Sequence, residues 1–287
     1  MSQPVPIAYP DLGKASNDLL GKDYPVGAVK LEVKTTAPNG VTFTVNGAKD
    51  SKTGAIHSEL KTKWTDAKNG ISFTESWNTA NLITGQIELE NNLSKGLKLD
   101  INASLQPSTS AKTARIGAVY KQSGLHTRGY LDLVKGSVFT TDAVVYRDGV
   151  LAGAEVAYDV QEGKVKRYNT AIGYVTPEYA LTLHAQQNLS VFSASYYHRV
   201  SPTVEAGGRA VWDSKTANSN VALEVGTKYF LDKDAFVKAK VNNNGILGLS
   251  YTQLLRPGVK VTLGGSFDTS RVNENAHKFG LAFTVDA

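Results

Sequence analysis

Apolar and polar residues alternate along almost the whole chain, from about Val26 to Val285, in segments of roughly ten residues separated by turn residues. In the segment 278–285, Phe279, Leu281, Phe283 and Val285 fall on one side, and Lys278, Gly280, Ala282 and Thr284 on the other. A strand turns successive side chains to opposite faces, so each segment reads as a strand with one apolar and one polar face. One such strand would suit any sandwich. A long unbroken series, with no helical stretch between its members, predicts a single large closed sheet.

The 287 residues contain no linker, low-complexity tract or shift in composition, so one large all-β unit is expected. No run approaches the ~18 apolar residues that a membrane-spanning helix needs. A spanning β-strand needs only about 9–11 residues with every second one apolar, which averages to near-neutral hydropathy. The mean hydropathy here is −0.23. The opening Met1–Pro6 carries neither a basic nor an apolar leader region and is not an Arg-rich amphipathic helix, so neither a secretory nor a transit peptide is expected. Cysteine is absent, which rules out disulfides, thiolate metal sites and thiol nucleophiles. The net charge of +5 suits mildly anionic clients, but it is dispersed, with no Lys/Arg run of the kind that tracks nucleic acid.

The strands can be walked by their period of two. Val29, Leu31 and Val33 oppose Lys30, Glu32 and Lys34, and Asn39-Gly40 is a hairpin signal before Phe43 and Val45. Ile56, Leu60 and Trp64 oppose His57, Glu59, Lys61 and Lys63; Leu97, Leu99 and Ile101 oppose Lys98, Asp100 and Asn102. The contrast weakens around residues 137–160 and 189–199 and sharpens again toward the C-terminus. Turn chemistry at Asp148-Gly149, Glu162-Gly163, Ser201-Pro202 and Arg256-Pro257-Gly258 punctuates the series. The total comes to about nineteen strands, a number that the family resemblance below shares, so the two are not independent.

The polar face is dense with ionisable groups, including Lys30, Lys61, Lys98, Arg115, Arg167, Glu59, Glu88 and Glu224, which a dry core could not hold. A closed sheet of this size encloses a lumen too wide for side chains to fill. Charges inside and hydrocarbon outside therefore predict a water-filled pore in a bilayer, with closure satisfying the backbone groups. Residues 1–25 form a separate N-terminal segment and 26–287 the barrel. Within the former, Asp11 to Leu20 reads as a short amphipathic helix, with Pro10 near its start and Gly21 near its end. It is too short to span a membrane and is expected to pack Leu12, Ala15, Leu19 and Leu20 against the pore wall.

These residues resemble the voltage-dependent anion channel family, the mitochondrial porins, over the whole chain. The resemblance rests on Tyr9-Pro10-Asp11-Leu12-Gly13-Lys14, Phe73-Thr74-Glu75-Ser76-Trp77-Asn78-Thr79 and Gly96-Leu97-Lys98-Leu99. Further matches are Ala239-Lys240-Val241-Asn242-Asn243, Gly248-Leu249-Ser250-Tyr251-Thr252-Gln253, Arg256-Pro257-Gly258-Val259-Lys260 and His277-Lys278-Phe279-Gly280-Leu281. It implies an up-and-down transmembrane barrel whose odd strand number forces the first and last strands to pair in parallel.

The resemblance also assigns expectations to particular residues. Lys14 and Lys22 match positions associated with pore charge and nucleotide contact, partly offset by Asp11 and Asp18; Lys98 is a weaker nucleotide candidate, because Gly96-Leu97-Lys98 lacks a phosphate-cradling GK[ST] ending. Lys30, Lys61, Lys63, Lys98 and Arg115 are expected to set pore charge and selectivity. Glu75 shares a face with Ile71, Phe73 and Trp77, where a carboxylate is costly, and implies a protonation-sensitive membrane site unless a register slip or a hydrated position relieves it. Lys278, Gly280, Phe283 and Val285 look like the sorting signal of a final strand. Pro25 stiffens a connector that is glycine-rich in the family, which weakens the case for a freely hinged helix.

The five histidines lie on separate strands without metal-ligand spacing, and no carboxylate pairs with a positioned nucleophile, so neither enzyme chemistry nor a cofactor is expected. The function implied is a voltage-gated, weakly anion-selective channel of the mitochondrial outer membrane, passing ions, ATP, ADP and phosphate. Membrane lipids and a homo-oligomer are the expected partners. The alternative is a docking platform for cytosolic or mitochondrial proteins, using loops such as 106–112 or 213–219, with conductance secondary. A protein-import pore fits the quoted stretches less well, and a bacterial porin would need a signal peptide and normally an even strand number.

Overall fold

Alternation with a period of two is realised as nineteen hydrogen-bonded strands in a computed structural model that describes residues 3–134, 136–216, 220–271 and 277–287. The strands are β1 (Ala28–Thr36), β2 (Thr42–Asp50), β3 (Ile56–Asp66), β4 (Ile71–Asn78), β5 (Ile83–Glu90), β6 (Leu97–Gln106) and β7 (Ala111–Gln122). They continue with β8 (Leu125–Asp132), β9 (Val138–Arg147), β10 (Val150–Asp159), β11 (Lys164–Val175), β12 (Tyr179–Gln186) and β13 (Val191–Ser201). The last six are β14 (Val204–Asp213), β15 (Ala222–Phe230), β16 (Ala235–Asn242), β17 (Ile246–Arg256), β18 (Val259–Asp268) and β19 (Lys278–Asp286).

Each strand pairs antiparallel with the next, as short turns dictate, and β1 closes on β19 in parallel with Leu31 opposite Phe283. An odd number of up-and-down strands leaves the first and last pointing the same way, so this single parallel seam is the topological cost of closure. Register shifts occur between β10 and β11 at Ala157/Tyr158, between β13 and β14 at Arg199/Ser201, and between β17 and β18 at Leu254/Arg256.

The outer face is apolar and open: Trp77 is 59% exposed, Ile172 61% and Phe279 65%. A surface this apolar over the full circumference belongs in hydrocarbon, where a closed sheet leaves no backbone group unpaired. The charged residues occupy the other face, around the lumen.

The N-terminal segment lies against that inner face and carries the expected short helix, which begins at Lys14 rather than at Asp11. A 3₁₀ turn (Tyr9–Asp11) and the helix α1 (Lys14–Gly21) are separated by Gly13, whose φ of 76° is left-handed. Glycine suits the position twice over: it adopts the left-handed φ without strain, and a Cβ there would stand 2.9 Å from Ser195 Oγ on the wall. α1 is only eight residues long, below the ~12–15 that are even marginally stable alone, so docking sustains it.

Candidate functional site

The lumen has two unlike halves, one covered by the N-terminal segment and one bare. Residues 3–27 form a belt that follows the inner wall from β8 round to β19. Ser123 Oγ donates to the Gln3 carbonyl, Gly124 N–H to Pro4 at 3.1 Å, and the His126 ring, through Nδ1, to Pro6 at 2.9 Å. Tyr9 and Leu12 then sink among Val144, Leu151 and Ala171, where the inner face forms a small apolar core. Burial, then Glu155 and Asp142, push the Tyr9 hydroxyl up to about 12, so it keeps its proton, and its oxygen has no hydrogen-bond partner.

The trailing half of the belt is held by polar bonds. Ser16 Oγ donates to the Gly208 carbonyl at 3.1 Å and Arg209 to Asn17 Oδ1 at 3.3 Å. A helix end leaves its last carbonyls without intrahelical partners. Two lysines of β16 reach this end: Lys238 Nζ donates to the Lys22 carbonyl at 2.7 Å and, at 3.0 Å, to that of Asp18, which also accepts from the Lys22 amide, and Lys240 Nζ donates to Leu20 at 2.6 Å. Both cations also favour the negative end of the helix dipole. Ser250 donates to the Asp23 carbonyl, and the Pro25 backbone then runs so close to β18 and β19 that a Cβ at Gly264 or Gly280 would strike its carbonyl oxygen at 2.7 or 2.1 Å. The stiff Pro25 connector is thus pressed onto the wall.

Ion pairing follows the same division. Under and beside the belt, Arg128 pairs with Asp142 (2.6 Å), Arg167 with Glu155 (3.2 Å), Arg209 with Glu224 (3.2 Å) and Lys240 with Glu224 (3.1 Å). The belt neutralises itself: Lys14 meets Asp11 at 3.0 Å, which raises the Lys14 amine, and Lys22 meets Asp18 at 2.7 Å. On the bare wall, Lys98 is held by Glu88 at 2.6 Å. Lys30, Lys61, Lys63 and Arg115 are exposed there, and among the described residues none has a carboxylate within 4.0 Å. Arg115 instead lies over the Tyr130 ring at 4.4 Å. Nearby acids are less prominent: Asp100 is buried and bonded by Asn102, and Glu59 is half-buried, although Glu32 and Glu90 are exposed.

Of the residues that the sequence singled out, Lys30, Lys61, Lys63 and Arg115 therefore share one water-facing surface, whereas Lys14, Lys22 and Lys98 are each tied to an acid. Glu75 is exposed on the apolar face between Phe73 and Trp77, opposite Thr62 of β3 and Gly85 of β5 in unshifted ladders, so no bulge relieves it. In β19, Phe283 and Val285 face outward at the closing seam, opposite Leu31 and Val33. Gly280 is the point of close approach to Pro25, and Lys278 lies beside the Gly27 bend. The turn after Gln106 is closed by Thr109 N–H to the Gln106 carbonyl; of the other candidate loop, Asp213 caps Lys215, and residues 217–219 lie outside the described residues. Lys238, Lys240, His126 and His184 were not singled out as belt contacts. Their signal was indirect: glycines at inward positions of neighbouring strands (Gly153, Gly207, Gly226, Gly264) mark where another backbone approaches.

With the geometry established, comparison with known proteins is direct. A model of the family described as eukaryotic porin matches residues 5–280. The mitochondrial outer membrane protein porin of Candida albicans is 46% identical over 99% of this chain and 100% of its own length; that of Neurospora crassa is 44% identical over 98% and 99%. The non-selective voltage-gated ion channel VDAC1 of Homo sapiens is 35% identical over 99% of both. Among solved structures, a mutant of Rh. blastica porin covers 91% of this chain and 96% of its own with a TM-score of 0.51 at 10% identity, a likeness of barrel fold alone. On matches of this length and identity, the chain belongs to the eukaryotic porin family.

Proposed function

We propose that the protein is a voltage-gated, weakly anion-selective channel of the mitochondrial outer membrane, through which ions, phosphate, ATP and ADP diffuse. The observation that carries this reading is the bare wall, where Lys30, Lys61, Lys63 and Arg115 stand exposed and unpaired. No bond is made or broken: a wide hydrated lumen admits polar solutes, and uncompensated positive charge raises the local concentration of anions. The preference is weak because Glu32 and Glu90 share the wall and solvent screens all of them within about 10 Å.

Residues 1–25 and 26–287 act in this reading as separate working units, belt and wall. The described belt carries two lysines against three aspartates, and two of those aspartates are paired with the lysines. A unit so nearly neutral gains little from a field that supplies about 2.3 kcal/mol per charge per 100 mV, so the wall cations carry much of the voltage response.

The Lys61→Glu, Lys63→Glu double variant is expected to turn the preference from anions to cations. The sign of the reversal potential under a potassium chloride gradient reads this directly, and an unchanged sign would remove the bare wall from the selectivity mechanism. Glu75 is the carboxylate placed mid-strand on the lipid face between Phe73 and Trp77 in this scheme. Glu75→Gln should stabilise the barrel in phosphatidylcholine vesicles by about 1 kcal/mol, since an ionised carboxylate there is costly. A urea midpoint that does not rise would mean that the carboxylate is hydrated in place.

A further inference from the structure

Among the charged and polar side chains that meet the belt, two are histidines, and one of them is poised differently from all the other anchors. His184 projects inward from β12, register partner to Ala171 of β11 and Ser193 of β13. The Tyr9 ring meets it edge-on, with centroids 6.3 Å apart. Its Nε2 edge is turned to the belt at Gly13, where a Cβ would come within 3.6 Å, and to the Leu12 backbone. Its Nδ1 is buried and has no hydrogen-bond partner.

We propose that His184 is a proton-operated latch: neutral, it seats the Tyr9–Leu12 stretch of the belt, and protonated, it releases it. The neutral ring carries one N–H, and its Nε2 edge is the one that faces the Leu12 backbone. The protonated ring has two N–H donors and a full charge, and the second N–H would point into a site without an acceptor.

Among the described residues, the acids near the ring are already engaged. From the N-terminal segment, Tyr9 is a protonated phenol and Asp11 is paired with Lys14. From β9 and β10, Asp142 is bound by Arg128 through two of its guanidinium nitrogens, and Glu155 is shared by Arg167 and Asn169. Arg167, on β11, is itself a cation. From β13 come only Ser193 and Ser195, and β12 itself contributes Thr182 and Gln186. Release to the lumen lets the charged ring and the freed Leu12 carbonyl reach water. Acidification through the ordinary histidine range, about 6.5 and below, therefore favours the undocked belt.

His126 serves as the internal control. It too is buried and holds a belt carbonyl, that of Pro6, but its Nδ1 is occupied by that bond, and it faces Lys121 across the β7–β8 ladder. With Nδ1 already bonded to the belt, it is assigned no switching role.

Because the chain has no cysteine, two labels can be introduced cleanly. Spin labels at Ile7→Cys on the exposed side of the belt and Thr44→Cys on the bare wall report the span of the lumen in the full-length protein in vesicles. At pH 7.5 a single distance is expected. At pH 5.0 a second population should grow by roughly tenfold per pH unit below the histidine range. His184→Gln, a neutral donor to the same carbonyl, should hold the single distance at both pH values, and the apolar His184→Phe serves the same purpose if the glutamine variant folds poorly. A distance distribution unaffected by pH in the unsubstituted chain would overturn the latch. So would an equal pH response in either His184 variant, or loss of the response in His126→Gln alone.

Discussion

The Lys238→Met, Lys240→Met double variant is expected to lose its docked helix while keeping its barrel. Lys238 is 3% exposed, and its charge is tolerated only because the Asp18 and Lys22 carbonyls accept from it and Asp23 lies 3.7 Å away. Lys240 is half-buried between the Leu20 carbonyl, Glu224 and the Tyr24 ring. Methionine keeps the length and apolar stem of lysine but donates nothing, so the Leu20 and Lys22 carbonyls lose their lysine donors and the Asp18 carbonyl keeps only the Lys22 amide. Hydrogen bonds from charged donors are worth about 1.5–3 kcal/mol each, and some of that is recovered from lumenal water. A net loss of about 3 kcal/mol is on the order of a hundredfold in the ratio of docked to free belt. Because eight residues cannot hold a helix unaided, release also melts α1. Hydrogen exchange should show the Asn17 and Lys22 amides losing protection while β15 to β17 keep theirs, and single-channel records should show a fluctuating open level. Arginine at 238 would not restore docking, since a planar fork does not match carbonyls spaced for a compact ammonium. A double variant with full protection in α1 would show that apolar packing alone holds the belt.

The barrel was legible because a half-polar strand advertises both its faces; the strands and the outward side of Glu75 follow from a period of two, while the strand number and the parallel seam also drew on the family resemblance. The places where the contrast faded are informative in retrospect. Around residues 137–160 several inward positions are apolar or small (Val144, Leu151, Gly153, Ala157), because there the inner face meets Tyr9 and Leu12 instead of water. Alternation reports the medium on each side, so a wall covered by its own N-terminus reads as a poorer strand. Pore lysines were legible as inward charges, but their division into paired and unpaired was not: Lys98 and Lys61 look alike in sequence, and only the register that puts Lys98 opposite Glu90 and near Glu88 separates them. Nor could the place where the chain turns into α1 be read, since the close approach of Gly13 to the wall involves Ser195, a residue far away along the chain. The lysine anchors of α1 escaped notice for the same reason, because a lysine facing a carbonyl and a lysine facing water share one pattern.

Gly153→Val is expected to evict the leading half of the belt and leave the trailing half in place. The residue faces inward from β10, and a Cβ there would lie 2.9 Å from the Tyr9 ring and 3.1 Å from both Leu12 and Val144. Val144 is fully buried and cannot retreat, so the 3₁₀ turn must move. Overpacking of this kind costs typically about 1–3 kcal/mol, whereas valine suits a strand better than glycine does, so the barrel gains as the belt loses. Ala152→Val, one residue away on the lipid face, supplies a control with the same added bulk and no belt contact. Whether the two halves part company depends on Gly13. A left-handed glycine between the 3₁₀ turn and α1 transmits little of the helical geometry, and α1 keeps its own anchors at Gly208, Lys238 and Lys240. Exchange protection should therefore fall at Leu12, whose amide donates to the Tyr9 carbonyl, and persist at Asn17 and Lys22. Loss of protection in both regions would make the belt a single cooperative unit, so that one event at either end empties the whole inner wall.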